Sequence, residues 1–217
     1  MARMTREERR AHTRSCLMAA AGRIFSSHGL QQASIDDVAE EAGFTKGAFY
    51  ANFRSKEELF LAMLDERFAA RLEQIERVLD SEDELADQTR RAGDDFVAAM
   101  RADPEWERLF FEFAAYAARN PDFRDELVTR YRSLRDAIAA ALGRSKERHG
   151  HAAWMDLDQV SLMLFAISNG FALEKLLEPD AVDDDLYGTM LLVFFTGLKT
   201  LAEQGTAASG ESAARTP

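Results

Sequence analysis

Apolar residues at Leu17, Ala20, Ala21, Ile24 and Phe25 recur at helical spacing, and Gly29 stands where a helix C-cap belongs. The chain is therefore predicted to open with a helix from Glu7 to His28. Ser34 with Asp37 three residues on is a capping-box pattern with two acids in the first turn, and it starts a second helix running from Ile35 to Ala42. Gly43 breaks the pattern. Thr45 then reads as the N-cap of a short third helix, Lys46 to Phe53, with Phe49 and Phe53 on one face. Ser55 with Glu58 opens a longer element, Lys56 to Leu79, whose positions Leu59, Met63, Leu64, Phe68, Leu72, Ile75 and Leu79 keep one side apolar. At 1.5 Å per residue it spans roughly 36 Å, enough to link two domains.

Helical periodicity resumes from Glu82 to Ala102, stops at Asp103-Pro104, restarts from Trp106 to Tyr116 and stops again at Asn120-Pro121. A helix from Asp122 to Arg148, a loop at Gly150-His151, and two strongly apolar segments, Leu157 to Leu177 and Leu186 to Leu201, complete the pattern. It predicts an all-α protein of about nine helices. Residues 1–55 form a helix-turn-helix domain, residues 56–204 a second helical domain, and residues 205–217, which lack large apolar side chains, a disordered tail.

Composition sharpens this picture. With 217 residues, 47% of them hydrophobic, the chain can build a core, and four Pro with 12 Gly are few for a turn-rich β-fold. The single cysteine, Cys16, excludes an internal disulfide and lies among Leu17 and Ala20 as a packing residue. The charged N-terminus has no apolar segment behind it, and no stretch approaches the ~18 apolar residues of a membrane span. A cytoplasmic protein with no membrane partner is expected. The net charge of -11 argues against indiscriminate coating of nucleic acid, yet it is unevenly spread. Residues 1–60 hold nine Lys/Arg against eight Asp/Glu, whereas residues 61–217 hold 18 against 30. Arg3, Arg6, Arg9, Arg10 and Arg14, facing only Glu7 and Glu8, form a basic start suited to phosphate or simply to solvent.

Two helices joined at a glycine, the second short, form a helix-turn-helix arrangement. Ala39, Gly43 and Phe49 are its expected scaffold. That packing leaves Thr45, Lys46, Gly47, Tyr50 and Asn52 outward, on a nine-residue segment of roughly 13 Å that suits a major groove about 12 Å wide. Lys46 can donate to guanine edges or phosphate, Gly47 admits close backbone approach, and Tyr50 offers a hydroxyl or a ring. Lys56, in the first turn after Ser55, sits beside backbone N–H groups that favour an anion.

Phe25 and Gly29 ending the first helix, Val38-Ala39 before Gly43, and the run from Lys46 to Phe53 followed by Ser55-Lys56-Glu57 together resemble the N-terminal domain of TetR-family transcriptional regulators, over roughly residues 10–65. The resemblance implies an all-helical homodimer whose head binds a double-stranded DNA operator and whose C-terminal domain binds a small-molecule effector, without a cofactor. It maps DNA contacts onto Thr45, Lys46, Gly47, Tyr50, Asn52 and Lys56, with Ser34 touching phosphate and the Arg-rich start reaching a neighbouring groove. Asp36 departs from the family pattern. It occupies a position where many members carry a basic or polar contact residue, and an acid there repels phosphate, so the second helix is expected to contribute little base readout.

In the C-terminal half, Leu164, Ile167, Phe171, Val193, Phe194 and Leu198 are the expected dimer surface, with Gly170 and Gly197 permitting close helix crossing. The aromatic-rich stretch Trp106, Phe110, Phe113 and Tyr116, with Phe96, Met100 and Phe165, is the expected effector lining. Glu112 among these rings reads as a solvent-facing charge or an anchor for a cationic ligand. No phosphate loop, nucleophile elbow or zinc-helix pattern occurs, so no enzyme is expected. His149 and His151 are weak as a metal site, and Asp183, Asp184 and Asp185 fit a helix start and not a calcium loop. The resulting expectation is a ligand-responsive repressor that binds a near-palindromic operator as a dimer and is released by a small hydrophobic or amphipathic effector. The alternative is a helical carrier or enzyme with a structural helix-turn-helix.

Overall fold

The computed structural model describes residues 4–149 and 155–213, the side chains of 149 and 205–213 apart. Among the described residues there are nine helices and no strand: α1 Arg6–Gln32, α2 Ile35–Glu41, α3 Lys46–Tyr50, α4 Lys56–Leu79, α5 Leu85–Ala102, α6 Pro104–Ala117, α7 Pro121–His149, α8 Leu157–Leu177 and α9 Leu186–Ala213. The starts follow from local chemistry. Thr5 and Glu8 form a reciprocal capping box, Ser34 and Asp37 another, and Thr45 accepts from the Ala48 N–H at 3.2 Å. Because α1 is regular from Arg6, the Arg-rich start is a helix from that residue on and not an extended arm.

Gly29 does not end α1. With φ at +74° it bends the helix, which resumes as a last turn through Gln32. The α9 helix continues to Ala213, across most of the segment expected to be disordered. An alanine-rich stretch with no proline before the last residue has the propensity to extend a helix already begun. Residues 214–217, Gly150 and His151 (expected in a loop), and Arg3 of the basic start lie outside the described residues, as does the side chain of His149.

The described residues divide into two compact units: residues 4–69 with 103–130, and residues 70–102 with 131–149 and 155–213. This differs from the expected boundary after residue 55, because the first part of α4 and all of α6 pack with α1 in the first unit. Its core holds Phe25, Phe49, Phe53, Phe60 and Phe113, all fully buried. Phe60 and Phe113 stack with parallel rings, and Phe25 meets Phe113 edge-on at 5.9 Å. At a relative exposure near zero, burial of each ring stabilises the unit by roughly 1.5–3 kcal/mol.

The second unit is built on Val97, Phe171, Tyr187 and Leu191. Gly93 on α5 and Gly188 on α9 let the two backbones touch: a Cβ on Gly93 would stand 2.7 Å from the Gly188 nitrogen. Around this core, one stripe of α8 (Leu162, Ala166, Gly170, Leu173, Leu177) and one of α9 (Leu186, Val193, Gly197, Leu201) remain exposed. By length and composition α8 would suffice to cross a membrane, with 22% of its most apolar window buried, contrary to the expectation that no stretch comes close.

Candidate nucleic-acid interface

The helix-turn-helix lies in the first unit. Val38, Ala39 and Phe49 are buried, and Gly43, at φ +74°, turns the chain between α2 and α3 while its N–H reaches the Glu40 carbonyl at 2.9 Å and the Phe44 N–H reaches the Ala39 carbonyl at 2.8 Å. A side chain at Gly43 would be strained by the backbone alone. Regular helix ends at Tyr50, short of the expected Phe53, although the N–H groups of Asn52 and Phe53 both still bond to the Phe49 carbonyl at 2.9 Å.

Burial of Phe49 fixes which side of α3 faces out. Thr45, Lys46 and Gly47 are exposed and Tyr50 is 52% exposed, its ring set edge-on against Phe49 at 5.7 Å. Gly47 has ordinary helical backbone, and a Cβ there would touch only Thr45 Oγ1 at 3.6 Å, so the folded chain itself does not demand glycine at this position. Lys46 donates to Asp36 Oδ2 at 2.7 Å. That hydrogen bond, followed by the carboxylate's charge, holds the Lys46 ammonium above its ordinary pKa.

The remaining expected contacts are placed differently. Ser34 caps α2, accepting from the Asp37 N–H at 3.0 Å, and Asp37 is held below the usual carboxylate range by its hydrogen bonds to Ser34. Asn52 is half-buried, with its amide donating to the Ala48 carbonyl at 2.8 Å. Arg14, read only as part of a basic stretch, lays its guanidinium over the Phe53 ring at 4.3 Å and donates to the Asn52 carbonyl at 3.5 Å. Lys56 does not wait at the surface for an anion: its ammonium donates to the Leu30 carbonyl at 2.7 Å and the Ala33 carbonyl at 2.8 Å. The cause is the bend at Gly29, which turns carbonyls at the end of α1 toward α4. Such bonds carry no signature in sequence.

The expected effector lining is split between the two units. Trp106, Phe110, Phe113 and Tyr116 belong to the first. Phe113 is fully buried, Phe110 is 7% exposed, Trp106 stacks on Phe60 at 5.9 Å, and the Tyr116 hydroxyl donates to Glu57 at 3.2 Å. Of these four only Trp106 borders an open cleft of about 580 Å³ in that unit, shared with Gly22, Met63 and Leu109. Glu112 is exposed, as a solvent-facing charge would be, and in addition accepts the Leu30 N–H at 2.7 Å. Phe96, Met100 and Phe165 belong to the second unit. Phe96 stacks on Tyr187 at 4.5 Å beneath the Arg71 guanidinium, Met100 lies against the same core, and Phe165 meets Tyr131 at 4.9 Å.

The expected dimer residues are also divided. Val193 is 68% exposed, but Phe171 and Leu198 are buried at 3% and 4% and face inward. Leu164 and Ile167 are partly buried against the same core, and Phe194 is half-buried. Because α8 is apolar on nearly all sides, its pattern does not reveal which side is the outer one. The exposed set is instead the stripe of Leu162, Leu173 and Leu177 with Leu186, Val193 and Leu201. Among the described residues no three His, Cys, Asp or Glu side chains are grouped to hold a metal ion.

A short helix with an outward polar face on a glycine-turned scaffold is the helix-turn-helix arrangement of DNA-binding proteins. The family described as "Bacterial regulatory proteins, tetR family" matches residues 17–63, and that described as "BetI-type transcriptional repressor, C-terminal" matches residues 85–196. The chain belongs to the TetR family, and it is a ligand-responsive regulator of transcription. It is 28% identical over 207 residues to the HTH-type transcriptional regulator TtgR of Pseudomonas putida, covering 93% of this chain and 96% of TtgR. Among solved structures it is similar in fold to Salmonella enterica GusR, with a TM-score of 0.71, 22% identity and coverage of 93% of this chain and 100% of that one. It is also similar in fold to FadR of Bacillus subtilis in complex with stearoyl-CoA, with a TM-score of 0.69, 14% identity and coverage of 86% and 98%.

Proposed function

We propose that the protein is a cytoplasmic repressor that binds a near-palindromic operator as a homodimer, with α3 of each copy in a major groove. The observation that carries this reading is the outward set of Thr45, Lys46, Gly47 and Tyr50 above a fully buried Phe49. Lys46 and Tyr50 supply base-edge and phosphate contacts, and Gly47 leaves room for the duplex to approach the backbone. Ser34 can still donate its hydroxyl proton to a phosphate while it caps α2, and Asn52 and Lys56 act mainly by holding the interface in shape. Two recognition helices on one side of the duplex would stand one helical turn apart, about 34 Å, or a multiple of it.

The exposed α8 and α9 stripes support the homodimer. Gly170 and Gly197 lie on these stripes, and a Cβ at either would meet nothing within 4 Å in its own subunit, so the stripes have room for a second copy to approach closely. This pairing also accounts for the apolar length of α8 without a membrane. The effector is a small hydrophobic or amphipathic molecule bound in the second unit beside Phe96, Met100 and Phe165, where the Arg71 and Arg135 guanidinium groups over Phe96 and Phe165 favour a ligand with an anionic end.

Footprinting of the purified protein across the DNA upstream of its own gene tests the reading. A protected, near-palindromic site that is lost in the Lys46→Ala, Tyr50→Ala double variant is the expected result. Unaltered protection by that variant would move DNA binding to another surface, and no protection anywhere would favour a helical carrier or enzyme. Light scattering of Val193→Asp is expected to give half the mass of the unaltered protein.

A further inference from the structure

Asp36 and Lys46 come from different helices, yet Lys46 Nζ lies 2.7 Å from Asp36 Oδ2, with the side chains 53% and 62% exposed on the face that presents α3. An exposed ion pair of this kind adds little to folding. An acid at residue 36 suits the N-terminal turn of α2, a modest gain at an exposed site, but a bare carboxylate beside a duplex would be repelled by phosphate. Paired with Lys46 it is neutralised in advance, and what remains is an acceptor and a donor held side by side. Among the described residues, the second carboxylate oxygen of Asp36 has no partner.

The major-groove edges of base pairs discriminate sharply against such a couple. Cytosine offers a donor at N4 beside the O6 of its guanine, and adenine offers a donor at N6 beside the O4 of its thymine. Both pairs therefore present a donor next to an acceptor, and the flanking atoms separate them. Beside adenine N6 stands N7, an acceptor that repels a carboxylate. Beside thymine O4 stands a methyl group, which offers nothing to an ammonium. Cytosine places only a C–H beside its donor, and guanine places a second acceptor, N7, beside O6 for the ammonium to share. Because the acceptor comes from α2 and the donor from α3, the couple also has a direction along the base pair.

We propose that Asp36 and Lys46 act as one acceptor–donor couple that reads a C·G base pair in each operator half-site, Asp36 accepting from cytosine N4 and Lys46 donating to guanine O6 and N7. This rests on the reading of α3 as the element that enters the groove. It reverses the expectation that α2 contributes little base readout: the acid is a specificity-determining residue.

Selection of bound sequences from a randomised duplex library with the full-length chain, followed by titrations of single-base variants at fixed salt, tests it. The unaltered protein is expected to enrich C·G at one position in each half-site. Asp36→Ala is expected to lose about tenfold of discrimination at that position and to keep the others. Asp36→Asn, whose amide presents a donor together with an acceptor, is expected to move the preference there to A·T. Tighter binding of Asp36→Ala to every sequence with unchanged base preferences would reduce the residue to an electrostatic brake and overturn the couple. An enriched motif in which no position responds to either residue would overturn it while leaving the DNA-binding reading intact. Failure of the unaltered chain to enrich any motif would remove both.

Discussion

The Glu112 carboxylate on α6 accepts the backbone N–H of Leu30 at 2.7 Å, while Lys56 on α4 donates to the carbonyl of the same residue at the same distance. One residue in the last turn of α1 is thus gripped from both sides by charged groups of two other helices, immediately after the bend at Gly29. Hydrogen bonds to charged partners are the stronger kind. The orientation of α2, and through Gly43 that of α3, is set at this junction.

Removal of the lysine tests that role against a phosphate contact. Lys56→Met leaves two carbonyls without their donor and is expected to cost about 1–2 kcal/mol in denaturant unfolding, toward the lower end because the site is only part-buried. The slope of log affinity against log salt for DNA should change by less than one. Unchanged stability with a slope smaller by about one would return Lys56 to the phosphate backbone.

Glycines in two settings should respond in opposite ways. Gly93→Ala drives a methyl group into the Gly188 backbone and is expected to destabilise the second unit by about 1–3 kcal/mol or more, seen as a lower denaturation midpoint. Gly170→Ala meets open space in its own subunit and should leave the dissociated subunit as stable or slightly more so. It should, however, weaken dimerisation measured by sedimentation.

Alkaline pH should loosen the first unit through Tyr116. Burial, followed by the nearby negative charge of Glu57 and the hydrogen bond to it, raises the phenol's pKa above its ordinary 10.0. A folded-state pKa raised in this way contributes stability that is complete below pH 10 and is lost as pH rises beyond it. Tyr116→Phe removes the titrating group, so its melting temperature should fall less steeply above pH 10 than that of the unaltered protein. Parallel curves would show that the phenol is not strained by its surroundings.

Gly47 separates folding from binding. Gly47→Ala is expected to raise stability by up to about 1 kcal/mol, since the new methyl meets only ordinary contact with Thr45. Operator affinity in a fluorescence titration is expected to drop at least severalfold. Equal affinity would mean that the duplex does not approach this backbone.

Helix boundaries were most legible where a capping pair and apolar periodicity agree, as for α4, and where one apolar run is bounded by polar residues, as for α8, both of which span the residues the pattern predicts. The helix-turn-helix scaffold of Ala39, Gly43 and Phe49 was legible for the same reason, because each position has a steric requirement visible in its residue type. Legibility failed where side chains bond to backbone: Lys56 and Glu112 look like surface charges until the carbonyl and N–H they reach are known. It failed again on α8, where Phe171 and Leu162 are equally apolar and only the packed neighbours decide which is turned inward. Asp36 was visible as an oddity, but its partner ten residues away on another helix was not.

At the crossing of Gly93 and Gly188 no side chain separates α5 from α9 to act as a bearing, and Phe96 stacked on Tyr187 fills the space beside it. Two rods joined backbone to backbone cannot slide or roll past one another without collision, so they travel as a single beam. Whatever a bound molecule displaces in this half of the protein, the compliance must come from the other helices. Neither glycine can be exchanged alone without prising that beam apart.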